Sequence, residues 1–206
     1  MKNYFPLVLA SIWLAAVSVG SGVLMVYEYI PGQAAHVPST WPTQSKIPRA
    51  TDQPTLIMFA HPDCPCTRAS IGELMELMTH CQNKVKAYVV FLQPKGSDEN
   101  WLHTDVWRSA EAIPGVAVQA DEEGIEARNF QATTSGQVVL YNGRGSLLFR
   151  GGITSSRGHY GDNTGLSAII LLLHDKTAST VETPVFGCSL LDPKPGQITG
   201  RITCTR

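Results

Sequence analysis

The stretch HPDCPCTRAS, residues 61–70, decides the fold of this chain. An apolar run, residues 55–60, precedes it, and apolar residues recur at helical spacing after it. This pattern predicts a strand, a tight turn and then a helix. Cys64 stands at the N-cap position and Pro65 at the first helical position, where the missing N–H of a proline costs nothing. The sequence therefore predicts two thiols, Cys64 and Cys66, at the start of a helix.

A helix start favours a reactive sulfur. Unpaired backbone N–H groups and the positive end of the helix dipole lower the pKa of a thiol there. The cation of Arg68, one turn along, adds to this effect, whereas Asp63 opposes it. A disulfide between Cys64 and Cys66 would close a very small, strained ring, which suits an oxidant or an isomerase. The alternative is that Cys64 is the lone nucleophile and a remote cysteine resolves its intermediate.

The composition limits the classes of partner. The 206 residues leave room for one globular domain and additional segments. With 16 basic and 17 acidic residues and no basic stripe, the chain is not expected to bind nucleic acid. Five cysteines leave at least one thiol unpaired within the chain.

The N-terminal segment, residues 1–30, is predicted to be a membrane anchor. Residues 5–26 are almost entirely apolar and uncharged, and about 20 such residues span a bilayer as a helix. A cleaved signal peptide is the alternative, although its apolar region usually has only about 7–15 residues. Lys2 on the cytoplasmic side would send the remainder to the periplasm or cell exterior, where disulfides persist. Residues 31–53, which are rich in proline, are predicted to be a linker.

The rest of the chain alternates strand and helix patterns. A domain is predicted over residues 54–177, followed by an irregular tail, residues 178–206. The alternation of the first part implies parallel strands joined by crossover helices. Asn-Gly-Arg-Gly at 142–145 lies between two apolar runs and predicts a β-hairpin. The predicted strands cover 55–60, 85–92, 115–119, 137–141 and 146–149, and the predicted helices cover 64–81, 100–113, a short segment after Asp121, and 164–174.

This order of elements resembles the thioredoxin-like fold over about residues 54–177. Phe59 lies five residues before Cys64, as an aromatic does in thioredoxins, and the Asn-Gly pair matches the turn of their late hairpin. Ser135 stands where that family carries the cis-proline that faces its active cysteine, and Cys-Pro-Cys stands in place of Cys-x-x-Cys. The resemblance implies an α/β fold with a mixed central sheet and helices on both faces. The stretches HPDCPCTRAS, TTSGQVVLYN and FRGGITSSRGHYGDN look closest to membrane-anchored bacterial proteins of the RedB type.

Cys188 is the candidate for a remote resolving cysteine. It follows the last predicted helix, in the sequence Pro-Val-Phe-Gly-Cys, on a tail long enough to fold back. The other interpretation is a structural disulfide between Cys188 and Cys204 that pins the tail. Cys81 is a poor partner for Cys64, because a helix of that length separates them by ~25 Å.

A glycine-rich loop is expected to join Cys64 in the site. Gly151 and Gly152 end the last predicted strand, which runs back towards the edge of the sheet that carries Cys64. With Ser135 they would form the substrate groove. The loop after them would bring Arg157 and His159 over the thiols, where both could lower a thiolate pKa. The other interpretation is a flexible connection before the last helix.

His61 has two interpretations. With Cys64 and Cys66 it would form a soft metal site of one nitrogen and two sulfurs suited to copper(I) or zinc, in which His159 could be the distant ligand that copper chaperones of this fold use. Alternatively His61 only shapes the turn before Pro62, which we prefer because no fourth ligand is evident near these three residues in the sequence.

The predicted function is a thiol–disulfide oxidoreductase without a cofactor. Cys64 would attack a protein or small-molecule disulfide, and Cys66 or Cys188 would resolve the mixed disulfide. The alternative is a copper-binding redox chaperone. A peroxiredoxin-like peroxidase ranks third: Cys-Pro followed by Thr67 and Arg68 fits, but His61 stands where those enzymes carry a threonine.

Overall fold

The computed structural model describes residues 4–33, 35–98 and 100–191. It divides into two units, Met1–Ile30 and Pro31–Arg206. The first unit consists of one helix, α1 (Phe5–Glu28), with no buried residue. Its mean hydropathy of 2.1 and its length of 24 residues are sufficient to cross a membrane, and a signal sequence near the N-terminus would have the same properties.

The second unit is built on a mixed sheet of five strands in the order β3-β2-β1-β4-β5. β1 is parallel to β2 and β2 to β3, whereas β4 is antiparallel to both β1 and β5. The predicted order of strands and helices and the mixed sheet are therefore confirmed. The strands are β1 (Thr55–Ala60), β2 (Lys86–Gln93), β3 (Val116–Glu122), β4 (Gln137–Tyr141) and β5 (Leu147–Gly152), and the helices are α2 (Pro65–His80), α3 (Asp105–Glu111), α4 (Ile125–Asn129) and α5 (Thr164–Leu173).

Of the boundaries that differ from the prediction, two are explained by helix capping. α3 begins at Asp105 rather than at residue 100, because the Thr104 hydroxyl caps it by accepting the N–H of Trp107 at 3.2 Å. β3 continues to Glu122, so that Asp121 lies in the strand. Its carboxylate nevertheless accepts the first backbone N–H groups of α4 at 2.8 Å.

Each face of the sheet has its own core. Alternate residues of β1 point to opposite faces, as expected of a strand. Leu56, Met58 and Ala60 pack with α2, α3 and α5, whereas Ile57 and Phe59 pack with α4 and with residues before and after the domain. Helices thus lie on both faces, but among the described residues the second face carries only α4, which has five residues.

The segment 31–53, predicted as a linker, packs on that second face. Val37 is 6% exposed. The ring of Trp41 meets those of Phe130 and Tyr141 at 5.1 and 5.3 Å, and the Tyr141 hydroxyl donates to a backbone carbonyl of the segment at 2.8 Å. The proline-rich composition indicated a spacer. Because α4 is too short to cover the aromatic residues of the second face, the segment 31–53 packs over them.

Candidate thiol site

Cys64 lies where β1 passes into α2. It is the N-cap of α2, with extended backbone angles (φ −83°, ψ 117°), and a proline follows in the first turn. Its N–H donates to the carbonyl of His61 at 3.2 Å, and its carbonyl accepts the N–H of Thr67 at 3.0 Å. The strand, turn and helix predicted from the sequence are present, and they place Cys64 at the start of α2.

The Cys64 sulfur is surrounded by hydrogen-bond donors. The side chain is 1% exposed. The pKa of Cys64 is strongly lowered, first by a hydrogen bond from the Cys188 side chain and then by one from Cys66, while burial opposes the shift. The backbone N–H of Cys188, at 3.4 Å, and the side chain of Thr67 contribute further donors. Hydrogen bonds from neighbouring groups rather than from solvent therefore favour the thiolate form of Cys64.

The pKa of Cys66 shifts in the direction opposite to that of Cys64. Its hydrogen bond to Cys64 and its partial burial raise the pKa of the Cys66 thiol, and the nearby guanidinium of Arg157 only partly offsets this. The titrations of the two cysteines in the Cys-Pro-Cys sequence are therefore coupled, and the hydrogen bond between them favours the charge on Cys64 and the proton on Cys66.

Ser135 joins three parts of the site. Its hydroxyl accepts the N–H of His61 at 2.8 Å and lies 2.7 Å from the hydroxyl of Thr67. If Ser135 donates in that second bond, the Thr67 proton is left for the Cys64 thiolate. The N–H of Ser135 donates to the carbonyl of Cys188 at 2.8 Å. No peptide bond among the described residues is cis.

Arg157 and His159 were both predicted to cover the thiols, but the structure places only Arg157 beside them. Arg157 contacts Cys66 and donates to the carbonyl of Gly187 at 2.9 Å. His159 is exposed, and its charge acts on Glu73. Glu73 also accepts the N–H of Gly161 at 2.6 Å, and this bond fastens the loop to α2.

The Arg68 side chain forms an ion pair with a residue of another helix. Its guanidinium pairs with Asp105 of α3, and the two side chains are 65% and 55% exposed. Among the main causes of the low Cys64 pKa are hydrogen bonds from Cys188, Cys66 and Thr67. Asp105 thus holds the Arg68 guanidinium at the surface.

His61 occupies the turn before the thiols. It is 9% exposed, and its Nδ1 accepts the N–H of Asp63 at 3.1 Å. Burial lowers the pKa of His61, although the negative charges of Cys64 and Asp63 oppose this. The geometry favours the role of shaping the turn. Within the described ranges, no group of three or more His, Cys, Asp or Glu side chains is arranged to hold a metal ion.

Gly151 and Gly152, predicted to line a substrate groove, are covered by the chain's own tail. A Cβ atom at Gly151 would lie 2.4 Å from the carbonyl oxygen of Thr183, and one at Gly152 would lie 2.6 Å from that of Pro184. The Thr183 hydroxyl donates to the carbonyl of Gly152 at 2.7 Å. The tail, predicted to be irregular, is therefore part of the site. Cys204, the other predicted partner of Cys188, lies outside the described residues.

Comparison with known proteins gives structural likenesses only. No protein-family model matches the chain, and no curated protein matches it at a significant level. An uncharacterised conserved protein from Geobacillus kaustophilus has a TM-score of 0.58 at 17% identity, over 81% of this chain and 94% of that chain. A hypothetical protein from Sinorhizobium meliloti 1021 has a TM-score of 0.61 at 15% identity, over 78% and 96% of the two chains.

A weaker match is the exposed lipoprotein thioredoxin of Streptococcus pneumoniae, with a TM-score of 0.42 at 12% identity, over 61% and 86% of the two chains. The fold assignment rests on the strand order and on the sequence of elements rather than on this match. The domain that carries Cys64 has a thioredoxin-like α/β fold.

Proposed function

We propose that this protein is a membrane-anchored thiol–disulfide oxidoreductase of the RedB type that works outside the cytoplasm. The observation that carries the proposal is the state of Cys64: its sulfur is favoured as a thiolate and lies in hydrogen-bond contact with two further thiols, those of Cys188 and Cys66. A thiolate is the nucleophile of disulfide exchange, and a neighbouring thiol completes the reaction.

The reaction has two exchange steps. The Cys64 thiolate attacks one sulfur of a substrate disulfide, forms a mixed disulfide, and releases the other substrate sulfur as a thiolate. A second cysteine of the enzyme, deprotonated by that leaving thiolate, then attacks the Cys64 sulfur and releases the second substrate thiolate. The substrate gains two electrons and the enzyme keeps a disulfide. The reverse sequence oxidises a substrate dithiol.

Cys188 is the favoured resolving cysteine. Its side chain is the strongest of the donors that lower the Cys64 pKa, and its backbone N–H also points at the Cys64 sulfur. A bond from Cys64 to Cys66 would instead close a strained ring across a single residue. Cys66 then serves as the thiol that donates to the Cys64 thiolate.

The anchor and the compartment complete the proposal. α1 is long and apolar enough to hold the domain at a membrane. The few charges near the N-terminus favour an orientation with the domain outside the cytoplasm, where a disulfide on the enzyme would persist.

The test is a single turnover with the reduced, full-length protein in detergent and an aromatic nitrobenzoate disulfide that releases a coloured thiolate. We expect Cys64→Ser to lose the reaction. Cys81→Ser is the matched control, because Cys81 is a buried thiol at the far end of the same helix, and it should react like the unaltered protein. Equal release from Cys64→Ser and the control would exclude the proposal.

A further inference from the structure

The described part of the tail follows the edge of the sheet to the thiols. The N–H of Arg150 in β5 donates to the carbonyl of Val181, and the N–H of Thr183 returns a bond to the carbonyl of Arg150, at 3.1 and 3.2 Å. The carbonyl of Val185 then accepts the N–H of Gly32 at 2.7 Å. The tail thus lies beside β5, joined to it by a parallel bridge between Arg150 and Glu182, before it reaches Cys188.

At the thiols the tail pairs with the loop that carries Ser135. Thr134 and Ser189 form an antiparallel bridge. The N–H of Ser135 donates to the carbonyl of Cys188 at 2.8 Å, and the N–H of Leu190 donates to the carbonyl of Thr133 at 2.9 Å. Because these are backbone bonds, an extended peptide of another protein that fits the groove with a cysteine in register could make them.

We propose that residues 183–190 are an internal substrate: they occupy the groove in which an extended, cysteine-containing segment of a partner protein binds, and they must leave before that partner can react with Cys64. The Cys188 thiol lies against the Cys64 sulfur, in the position that a substrate cysteine would occupy. The inference rests on the proposed role of Cys64 as the nucleophile.

Gly187 sets the closeness of the fit. A Cβ atom at this position would lie 2.0 Å from the carbonyl oxygen of Ser135. Because the obstacle is backbone, it cannot move aside as a flexible side chain could. The groove therefore accepts a segment whose cysteine is preceded by glycine, and an alanine in the same place excludes it.

The tail is held in a way that allows release. Between residues 182–185, residues 31–33 and β5 lies a cleft of about 250 Å³. Leu190 is buried in the core of the second face and anchors the far end. Polar bonds between backbone groups can be exchanged for bonds to an incoming peptide, so a partner of the right register replaces the tail without loss of hydrogen bonds.

The redox state of Cys188 would set whether the groove opens. When Cys64 and Cys188 form a disulfide, having passed two electrons to a substrate disulfide, the tail is tied covalently in the groove. Attack on the Cys188 sulfur by an external thiolate leaves Cys64 as a thiolate and joins that thiol to Cys188 as a mixed disulfide. A second external thiolate then attacks the external sulfur of that mixed disulfide, forms a disulfide with it and releases Cys188 as a thiolate, and the tail can then exchange with a partner segment.

The experiment uses two variants that loosen the tail and keep every cysteine, Gly187→Ala and Leu190→Ala. The probe is the peptide Thr-Pro-Val-Phe-Gly-Cys-Ser-Leu, the sequence of residues 183–190, with its cysteine linked to nitrothiobenzoate. Attack by Cys64 on the peptide sulfur releases the coloured thiolate. We expect both variants to react about tenfold faster than the unaltered protein, which corresponds to about 1.4 kcal/mol. Circular dichroism confirms that each variant is folded.

Three controls make the result specific. Gly22→Ala, a change with no atom within 4 Å of the added Cβ, should leave the rate unaltered. Cys188→Ser keeps the backbone of the tail in the groove and should not accelerate the reaction. A probe peptide with alanine in place of its glycine should react about tenfold more slowly with the Gly187→Ala protein. Rates in both loosened variants equal to or below that of the unaltered protein would overturn the inference.

Amide hydrogen exchange separates this inference from the proposed function. In the reduced, unaltered protein the N–H groups of Ser135 and Leu190 should be protected, and saturation with the peptide in its thiol form should free that of Leu190 while that of Ser135 stays protected. If Cys64 proved inert in every variant, the proposed function would fail, and this exchange pattern alone would still decide whether the tail is a displaceable occupant. Unprotected amides in the unaltered protein would refute it.

Discussion

Two cysteines mark the two ends of helix α2, and their environments differ in one respect. Cys64 and Cys81 are both fully buried, at 1% and 0% exposed. Burial raises the pKa of Cys81, with a partial offset from Lys84. The pKa of Cys64 is lowered instead, because thiol, hydroxyl and backbone donors converge on its sulfur. Burial alone therefore makes a thiol inert, and burial among donors makes it a thiolate.

The largest expected effect of the difference between Cys64 and Cys81 is on the pH dependence of the free energy of unfolding. The pKa of Cys64 is 9.0 in the unfolded chain and is strongly lowered in the folded protein. Between these two values the unfolded chain binds a proton at Cys64 that the folded protein does not bind. The stability that this provides is fully present above the unfolded pKa and is lost as the pH falls towards the folded pKa. The free energy of unfolding of the reduced protein should therefore rise between about pH 7 and 9, by roughly 1 kcal/mol per pH unit more than in Cys64→Ser.

Denaturant unfolding of both proteins at several pH values measures that difference. Cys81→Ser is the control. Its free energy of unfolding should change with pH about as steeply as that of the unaltered protein. Parallel slopes for Cys64→Ser and the unaltered protein would mean that Cys64 is protonated in the folded state.

The second prediction removes the first of the donors. Cys188→Ala deletes a thiol that hydrogen-bonds to Cys64 but keeps the backbone N–H at 3.4 Å. The pKa of Cys64 should rise, and thiolate absorbance in the ultraviolet should appear at higher pH than in the unaltered protein. A titration curve unchanged by the substitution would show that Cys188 does not act on Cys64.

The third prediction compares two cations. Arg157 contacts Cys66 and lowers its pKa, whereas Arg68 pairs with Asp105. Arg157→Met should raise the pKa of Cys66 further, and alkylation of Cys66 in alkaline solution should slow. Arg68→Met should leave that rate unchanged. The opposite pattern would restore the role that the sequence suggested for Arg68.

The smallest effect is expected at the far end of α2. Cys81→Ala removes one buried sulfur and should cost about 1 kcal/mol of stability through lost packing. The thiolate absorbance of the protein should not change, because Cys81 is protonated at neutral pH. A lost thiolate signal in this variant would contradict the assignment of the charge to Cys64.

Part of the site could be predicted from local sequence. The apolar strand, the prolines and the helical spacing around Cys64 are short-range signals, and they yielded the N-cap position correctly. The role of Arg68 was inferred from spacing along one helix, and it did not account for Asp105, which lies 37 residues away along the chain. Nothing in the composition of residues 31–53 indicated that Trp41 packs against Phe130 and Tyr141.

The sequence by itself determined the order of strands and helices and the two thiols at the start of α2, because periodicity and capping are local properties. Only the tertiary structure decided what surrounds Cys64. Cys188 lies 124 residues further along the chain, and its place is set by two backbone hydrogen bonds of the tail, one from the N–H of Ser135 to the carbonyl of Cys188 and one from the N–H of Leu190 to the carbonyl of Thr133. Such bonds are available to almost any residue, so they leave no pattern in the sequence, and the pairing of tail and thiolate emerges only when the chain is folded.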